Sequence, residues 1–241
     1  MNNSSNKKLI NKIKDFFYKN DWEPLPYQIE SWEAYLNGKN GIIQVPTGCG
    51  KTYAALMGPL SRIVQSSEDN NSVNILIITP LKALSRDLKN SIYLASKHFN
   101  QEITIGIRNG DTSAYEKKKQ LIKPPNILIT TPESLSLLVS NKKSNKIFSK
   151  LSSVIIDEWH ELMGSKRGNQ CELLLSWLRG NVKSLQVWAM SATIGNIEDA
   201  ARAIVGIKGN NPEIISTNIK KEIEILSVLP EQKTTFPWSG H

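Results

Sequence analysis

Gly41-Ile42-Ile43-Gln44-Val45-Pro46-Thr47-Gly48-Cys49-Gly50-Lys51-Thr52, running straight into the helix-spaced stretch 51 to 65, decides the fold of this 241-residue chain. A β-type apolar run delivers the backbone into a glycine-containing loop that opens onto a helix. The glycines let successive backbone N–H groups converge on an anion, the helix N-terminus adds partial positive charge, and Lys51 extends toward the outermost phosphates. Thr52 supplies a hydroxyl suited to the Mg²⁺ that accompanies such a polyphosphate. Val45 stands where the G-x-x-x-x-G-K-T pattern has its first glycine, so a second site is needed to support the reading.

Val154-Ile155-Ile156-Asp157-Glu158-Trp159-His160 provides it, as a second buried-strand run ending in adjacent acids. In phosphoryl-transfer sites one acid holds the metal and the other orients or deprotonates water. An isolated Asp-Glu after a strand is more often a helix cap favoured by the dipole. Beside a phosphate loop the catalytic reading takes precedence.

Further short apolar runs cover residues 73 to 79, 103 to 107, 126 to 130, 185 to 190 and 223 to 228, besides 41 to 45 and 152 to 156. Segments with helical spacing separate most of them, such as Leu56, Leu60 and Ile63, and Leu173, Leu174, Trp177 and Leu178. This alternation predicts a mostly parallel central sheet with helices on both faces, whose ligands sit beyond the carboxyl ends of the strands. Residues 1 to 8 read as disordered and residues 65 to 72 as a polar surface loop; no internal repeat is present.

The net charge of +8, from 30 Lys and Arg against 22 Asp and Glu, favours a polyanionic partner. Cys49 and Cys171 are too few for a disulfide framework or zinc site and suit a reducing cytoplasm. No apolar stretch approaches the ~20 residues of a membrane span, so no membrane partner is expected.

Three more runs follow strands: Thr79-Pro80-Leu81-Lys82-Ala83-Leu84-Ser85-Arg86-Asp87, Thr130-Thr131-Pro132-Glu133-Ser134-Leu135 and Ser191-Ala192-Thr193. Threonine hydroxyls and helix-start N–H groups bind phosphates, and Lys82 and Arg86, one turn apart, can share a backbone. Each run taken alone also fits ordinary helix capping.

In this order the motifs resemble superfamily 2 helicases of the DExH type, from about Trp22 to His241. More narrowly, Asp157-Glu158-Trp159-His160-Glu161-Leu162 with Gly164-Ser165-Lys166-Arg167-Gly168 is similar to the Lhr family, particularly its ligase-associated branch, as are Arg108-Asn109-Gly110-Asp111-Thr112 and Trp238-Ser239-Gly240-His241. The resemblance implies a RecA-like P-loop NTPase lobe that uses ATP and Mg²⁺. It assigns adenine reading to Gln28; nucleotide contacts to Thr47, Gly48, Cys49, Gly50, Lys51 and Thr52; metal to Thr52 and Asp157; and catalysis to Lys51, Asp157, Glu158 and His160. Coupling falls to Ser191, Ala192 and Thr193, which His160 would contact. Thr79, Lys82, Arg86, Arg108, Gly110, Asp111, Thr112, Thr131 and Pro132 would follow a nucleic-acid strand. The lysines at 117 to 119 read as solvated surface.

By the same resemblance the partner is single-stranded DNA, a 3′-tailed duplex or an RNA–DNA hybrid, with translocation from 3′ to 5′ in repair and a possible DNA ligase association. An RNA helicase lobe, or a binding module without hydrolysis, are the alternatives. The expected organisation is an extension at 1–20, a first motor lobe at 21–229 and the start of a linker at 230–241, with a second RecA-like lobe and C-terminal domains lacking. Such a fragment would not unwind by itself.

Overall fold

The computed structural model describes residues 3–65, 72–99, 102–206 and 211–217. Helices α1 (Asn3–Lys19) and α2 (Pro26–Leu36) precede β1 (Gly41–Gln44), α3 (Lys51–Gln65), β2 (Ile75–Ile78) and α4 (Leu84–His98). The chain continues through β3 (Ile105–Arg108), α5 (Ala114–Ile122), β4 (Ile127–Thr130), α6 (Pro132–Val139), α7 (Ser144–Ile147) and β5 (Ser153–Ile156). After these come α8 (Trp159–Leu162), α9 (Lys166–Asn181), β6 (Gln186–Ser191), α10 (Ile197–Val205) and β7 (Glu213–Ser216).

The seven strands form one sheet in the order β3-β4-β2-β5-β6-β1-β7, with every pairing parallel. Side-chain alternation divides the core between its faces. Ile43, Ile75, Ile77, Ile127, Ile129, Ile155, Trp188 and Met190 pack toward α1 to α4. Ile42, Leu76, Ile78, Leu128, Val154, Ile156, Val187 and Ala189 pack toward α6 to α10. A strand buried on both sides reads as a continuous apolar run, which is how six of these strands appear in the sequence.

Residues 41 to 45, 73 to 79, 103 to 107, 126 to 130, 152 to 156 and 185 to 190 give β1 to β6, with ends shifted by up to two residues. Residues 223 to 228, 230 to 241 and most of the 65 to 72 loop lie outside the described residues. Strand β7, with only Ile214 and Ile215 as apolar residues, was not expected and pairs with β1 at the sheet edge.

The expected disorder at residues 1 to 8 is corrected for residues 3 to 8, which open α1. Leu9, Ile13, Phe16 and Phe17 form its buried stripe at helical spacing. Asn6 pins the polar end by donating through Nδ2 to the Leu36 carbonyl at 3.3 Å and to Asn37 Oδ1 at 3.1 Å. Phe16 and Phe17 meet Tyr53 edge-on, tying α1 to the helix that leaves the glycine loop.

The register sets the position of the site. Gln44 lies opposite Ser191, Ile156 opposite Ile78, and Thr130 opposite both Ile78 and Arg108. Each of these residues ends its strand, so the motifs that follow β1 to β6 emerge along one edge.

Candidate nucleotide and nucleic-acid sites

The loop after β1 needs backbone that side chains resist. Gly48 and Gly50 adopt φ +75° and +86°, and a Cβ on Gly50 would lie 2.6 Å from Gln28 Nε2. Helix α2 braces the loop: the Tyr27 hydroxyl donates to the Cys49 carbonyl, Gln28 Nε2 to Gly50 O at 3.1 Å, and the Trp32 indole to Tyr53 O at 3.0 Å. Gln28 Oε1 also accepts the Leu25 N–H at 2.9 Å, capping α2. Its carboxamide is therefore engaged with the loop on one side and with its own helix on the other, and Gln28 is only 3% exposed and not among the walls of the cleft beside the loop. Tyr27 was not singled out in the sequence, because a tyrosine beside a helix start carries no signal until the loop is placed against it.

A cleft of about 210 Å³ opens on this loop, lined by Thr47, Gly48, Gly50, Lys51, Thr52, Asp157 and Glu158 and, from α4, by Asp87 and Ser91. Lys51 is only 7% exposed. Its Nζ lies 3.6 Å from Glu158 Oε2, and neither atom has a hydrogen-bond partner. Two buried, opposite, unsatisfied charges at the mouth of an N–H-lined loop suit a polyphosphate and a polarised water. Asp157 and Thr52 form the sparse oxygen set that Mg²⁺ accepts when substrate phosphates complete its shell. Burial, reinforced by the charge of Glu158 and opposed by Lys51, raises the Asp157 carboxyl from 3.8 to about 6.

Glu158 has φ 44° and ψ 51°, left-handed for a residue with a side chain. That conformation costs on the order of 1 kcal/mol and turns the carboxylate off the strand direction, back toward Lys51. His160, on α8, bridges to the next strand end. Its Nδ1 accepts the Ala192 N–H at 3.4 Å and lies 3.2 Å from Ser191 Oγ. The same Nδ1 is 3.3 Å from Glu158 Oε2, with Nε2 3.5 Å from Glu161 Oε1. An acceptor Nδ1 serves Ala192, whereas a protonated Nδ1 serves Glu158, so one atom chooses between the two motifs. Thr193, the third member of that motif, is exposed beyond these contacts.

Along the same edge a groove of about 630 Å³ is walled by Pro80, Leu81, Lys82, Gly110, Thr131 and Leu137, among others. Lys82 Nζ pairs with Asp111 at 2.8 Å and lies against Gly110. Pro132 starts α6 with Thr131 as its cap residue. Arg86 is exposed on α4 but is not among the groove walls.

Three expected strand contacts are placed differently. Thr79 is fully buried, and its hydroxyl donates at 3.4 Å to the Leu81 carbonyl and at 3.5 Å toward Asp157, so it braces the acid from beneath. Arg108 also lines the groove, but the residue is only 8% exposed and its guanidinium turns to α5, donating to the Lys117 carbonyl at 3.0 Å and Gln120 Oε1 at 3.4 Å. Burial lowers its pKa. The Thr112 hydroxyl closes its own turn, accepting from Asn109 N and donating to Ile107 O. Conversely, Lys117 reaches the groove although its lysine run reads as plain surface, and Leu81 and Leu137 line it as exposed apolar residues.

A phosphate loop, a strand-end acid pair and a cation-walled groove on one edge of a parallel RecA-like sheet define an ATP-binding helicase domain. Residues 25–200 match the DEAD/DEAH box helicase family, and the chain belongs to that family. Within it the relatives include Lhr helicases. The chain is 38% identical over 206 residues to an ATP-dependent helicase Lhr-Core of Sulfolobus acidocaldarius, covering 80% of this chain and 23% of that protein. It is 34% identical over 234 residues to the Methanocaldococcus jannaschii Lhr-Core, covering 90% and 27%. The structure of Mycobacterium smegmatis helicase Lhr bound to ssDNA and AMP-PNP superposes with a TM-score of 0.79 at 29% identity, covering 87% of this chain and 28% of that one. The chain thus spans about a quarter of the length of these proteins. Among the described residues no helix is long and apolar enough to cross a membrane.

Proposed function

We propose that these residues are the first motor lobe of an ATP-dependent DNA helicase that moves 3′ to 5′ on single-stranded DNA in the cytoplasm and serves repair. The observation that carries the reading is the buried, unsatisfied pair Lys51 and Glu158, set on the same strand edge as a cation-walled groove. Lys51 and the loop N–H groups bind and orient the phosphates. Glu158, aimed by its left-handed backbone, holds the attacking water and takes its proton, and Asp157 and Thr52 are the residues that would hold Mg²⁺. Bound there, the metal neutralises charge on the transferring phosphoryl group. Gln28, which braces the loop, is the residue that the resemblance assigns to adenine. His160 passes the state of Glu158 to Ser191 and Ala192.

Lys82, Gly110, Thr131 and Pro132 hold a sugar-phosphate backbone without reading its sequence. DNA is preferred as substrate because the Mycobacterium smegmatis relative was captured on single-stranded DNA. A second RecA-like lobe in cis would supply the transition-state cations, worth ~10³ to 10⁵ in rate, so this lobe by itself is expected to bind nucleotide weakly and unwind nothing.

The test is ATP hydrolysis by the full-length protein without nucleic acid, with single-stranded DNA and with single-stranded RNA, beside Glu158→Gln. Stimulation by DNA above RNA, abolished in Glu158→Gln, supports the reading. Preference for RNA replaces it with an RNA helicase, and no hydrolysis under any condition reduces the chain to a binding module.

A further inference from the structure

Helix α9 opens on Lys166-Arg167, two cations where a helix N-terminus disfavours them, and has no acid in its first turn. Arg167 is compensated from outside. Its Nε and one terminal N–H donate to the two oxygens of Glu133 at 2.5 and 3.3 Å, a two-pronged pair in the first turn of α6. Burial raises the Glu133 carboxyl, but the Arg167 donors and its own backbone N–H outweigh this and lower it overall. Both residues stand in the groove wall beside Thr131.

The other end of this connection reaches the acid pair. Helix α8 begins directly after Asp157 and Glu158, and its last residue, Leu162, gives its carbonyl to the Ser165 N–H at 3.1 Å and the Ser165 hydroxyl at 2.6 Å. Ser165 Oγ in turn accepts Gly168 N at 3.1 Å, capping α9. A Cβ on Gly168 would sit 2.1 Å from the Leu162 carbonyl, so α9 lies against α8 as closely as backbone permits. A displacement of the acid pair therefore reaches Arg167 with little slack, and Arg167 is bonded to the helix start that Thr131 caps.

We propose that Glu133 and Arg167 are positioning residues that couple the ATP site to the nucleic-acid groove, by a route that leaves α8 through Leu162 and Ser165 instead of through the contact of His160 with Ser191. The inference rests on the helicase reading above. A contact shared by two sites carries part of the coupling free energy between them, so breaking the pair should weaken the dependence of ATP turnover on DNA without removing either site.

The experiment measures, in the full-length protein, the ratio of DNA-stimulated to basal ATP turnover, the DNA concentration for half stimulation and the melting temperature. The variants are Glu133→Gln, Arg167→Gln and the exchange Glu133→Arg with Arg167→Glu. The expected result is a ratio lowered about tenfold in each single variant, a smaller change in half-stimulating concentration, and recovery in the exchange. Single variants that keep the ratio and only raise the half-stimulating concentration would overturn the proposal and leave Arg167 as a phosphate contact. A ratio that falls in step with melting temperature, unrecovered in the exchange, would overturn it in favour of a mere brace. Absence of any stimulation in the unaltered protein would instead sink the helicase reading, and the coupling with it.

Discussion

The two halves of the strand edge treat charge in opposite ways. On the nucleotide side, Lys51 Nζ and Glu158 Oε2 are buried with no hydrogen bond, 3.6 Å apart, and Asp157 is 6% exposed. On the groove side the charges are hydrogen-bonded already, Lys82 to Asp111 and Arg167 to Glu133 as ion pairs and Arg108 to the Lys117 carbonyl on α5. Lys51 and Glu158 compensate each other in charge but not in hydrogen bonds, which leaves donor and acceptor capacity in the cleft for a charged substrate to complete. An exposed single contact such as Lys82 on Asp111 is worth little and exchanges easily, which suits a surface that must grip and release successive phosphates, whereas the two-pronged pair of Arg167 and Glu133 holds the groove wall. One side is built for chemistry and the other for repeated exchange.

The comparison breaks most visibly at Glu158. Glu158→Gln keeps the size of the side chain but removes the base, and ATP turnover should fall about 10²- to 10⁴-fold with or without nucleic acid, read as phosphate release. A variant that lost only the DNA-stimulated part would place Glu158 on the groove side of the divide. Gly50→Ala comes next. Its Cβ would lie 2.6 Å from Gln28 Nε2 in a backbone at φ +86°, a strain of about 1 to 3 kcal/mol that should lower melting temperature and nucleotide affinity together. Adding Gln28→Ala should relieve the clash but not the dihedral, so a partial recovery of melting temperature, with affinity still low for want of the adenine contact, separates the two causes.

How much of this was legible in the sequence follows the same divide. The glycine loop and the acid pair are local, each a few consecutive residues after an apolar run, and the parallel register then brings their strand ends to one edge. The groove is not local. Thr79 carries the same Thr-Pro signature as Thr131, but β2 lies beside β5 and its hydroxyl turns under Asp157, whereas Thr131 follows β4 and lines the groove. Whether Arg108 faces a phosphate or the carbonyl of Lys117 depends on how α5 folds back, which residue type alone does not determine. Helix α1 was missed at its polar end because Asn6 finds its partners some thirty residues away, on α2 and its C-cap. β7 borrows its pairing from β1 rather than from any strong run of its own.

The raised carboxyl of Asp157 sharpens the comparison through pH. Its folded pKa of about 6 exceeds the ordinary 3.8, so this group stabilises the unliganded fold below about pH 3.8, and that contribution is lost as pH rises through about 6. Metal binding requires the carboxylate and runs the other way. Affinity for the Mg²⁺-nucleotide should fall as pH drops below about 6, by about tenfold at pH ~5. Fluorescent-nucleotide titration across that range checks it, and Asp157→Asn should be weak and flat with pH. Binding of single-stranded DNA without nucleotide should lack this step, because Asp157 faces the nucleotide cleft and is not among the groove walls.

The smallest effect belongs to Lys82 and Asp111, and its sign tests the exchange idea directly. The pair is 2.8 Å long with both side chains more than half exposed, so solvent screening leaves it worth ~0.2 to 1 kcal/mol. A phosphate approaching Lys82 must displace Asp111 and also meets its negative charge. Asp111→Asn removes both costs while keeping the side chain's shape, and the Asp111 N–H to Asn109 Oδ1 bond at 3.0 Å preserves the turn. DNA affinity should therefore rise, by about two- to fivefold at low salt, with the salt dependence steepened by about one released counterion. Lys82→Ala should do the reverse. If Asp111→Asn weakened binding instead, the carboxylate would be holding Lys82 in place for the phosphate rather than competing with it, and the groove would be as pre-organised as the cleft.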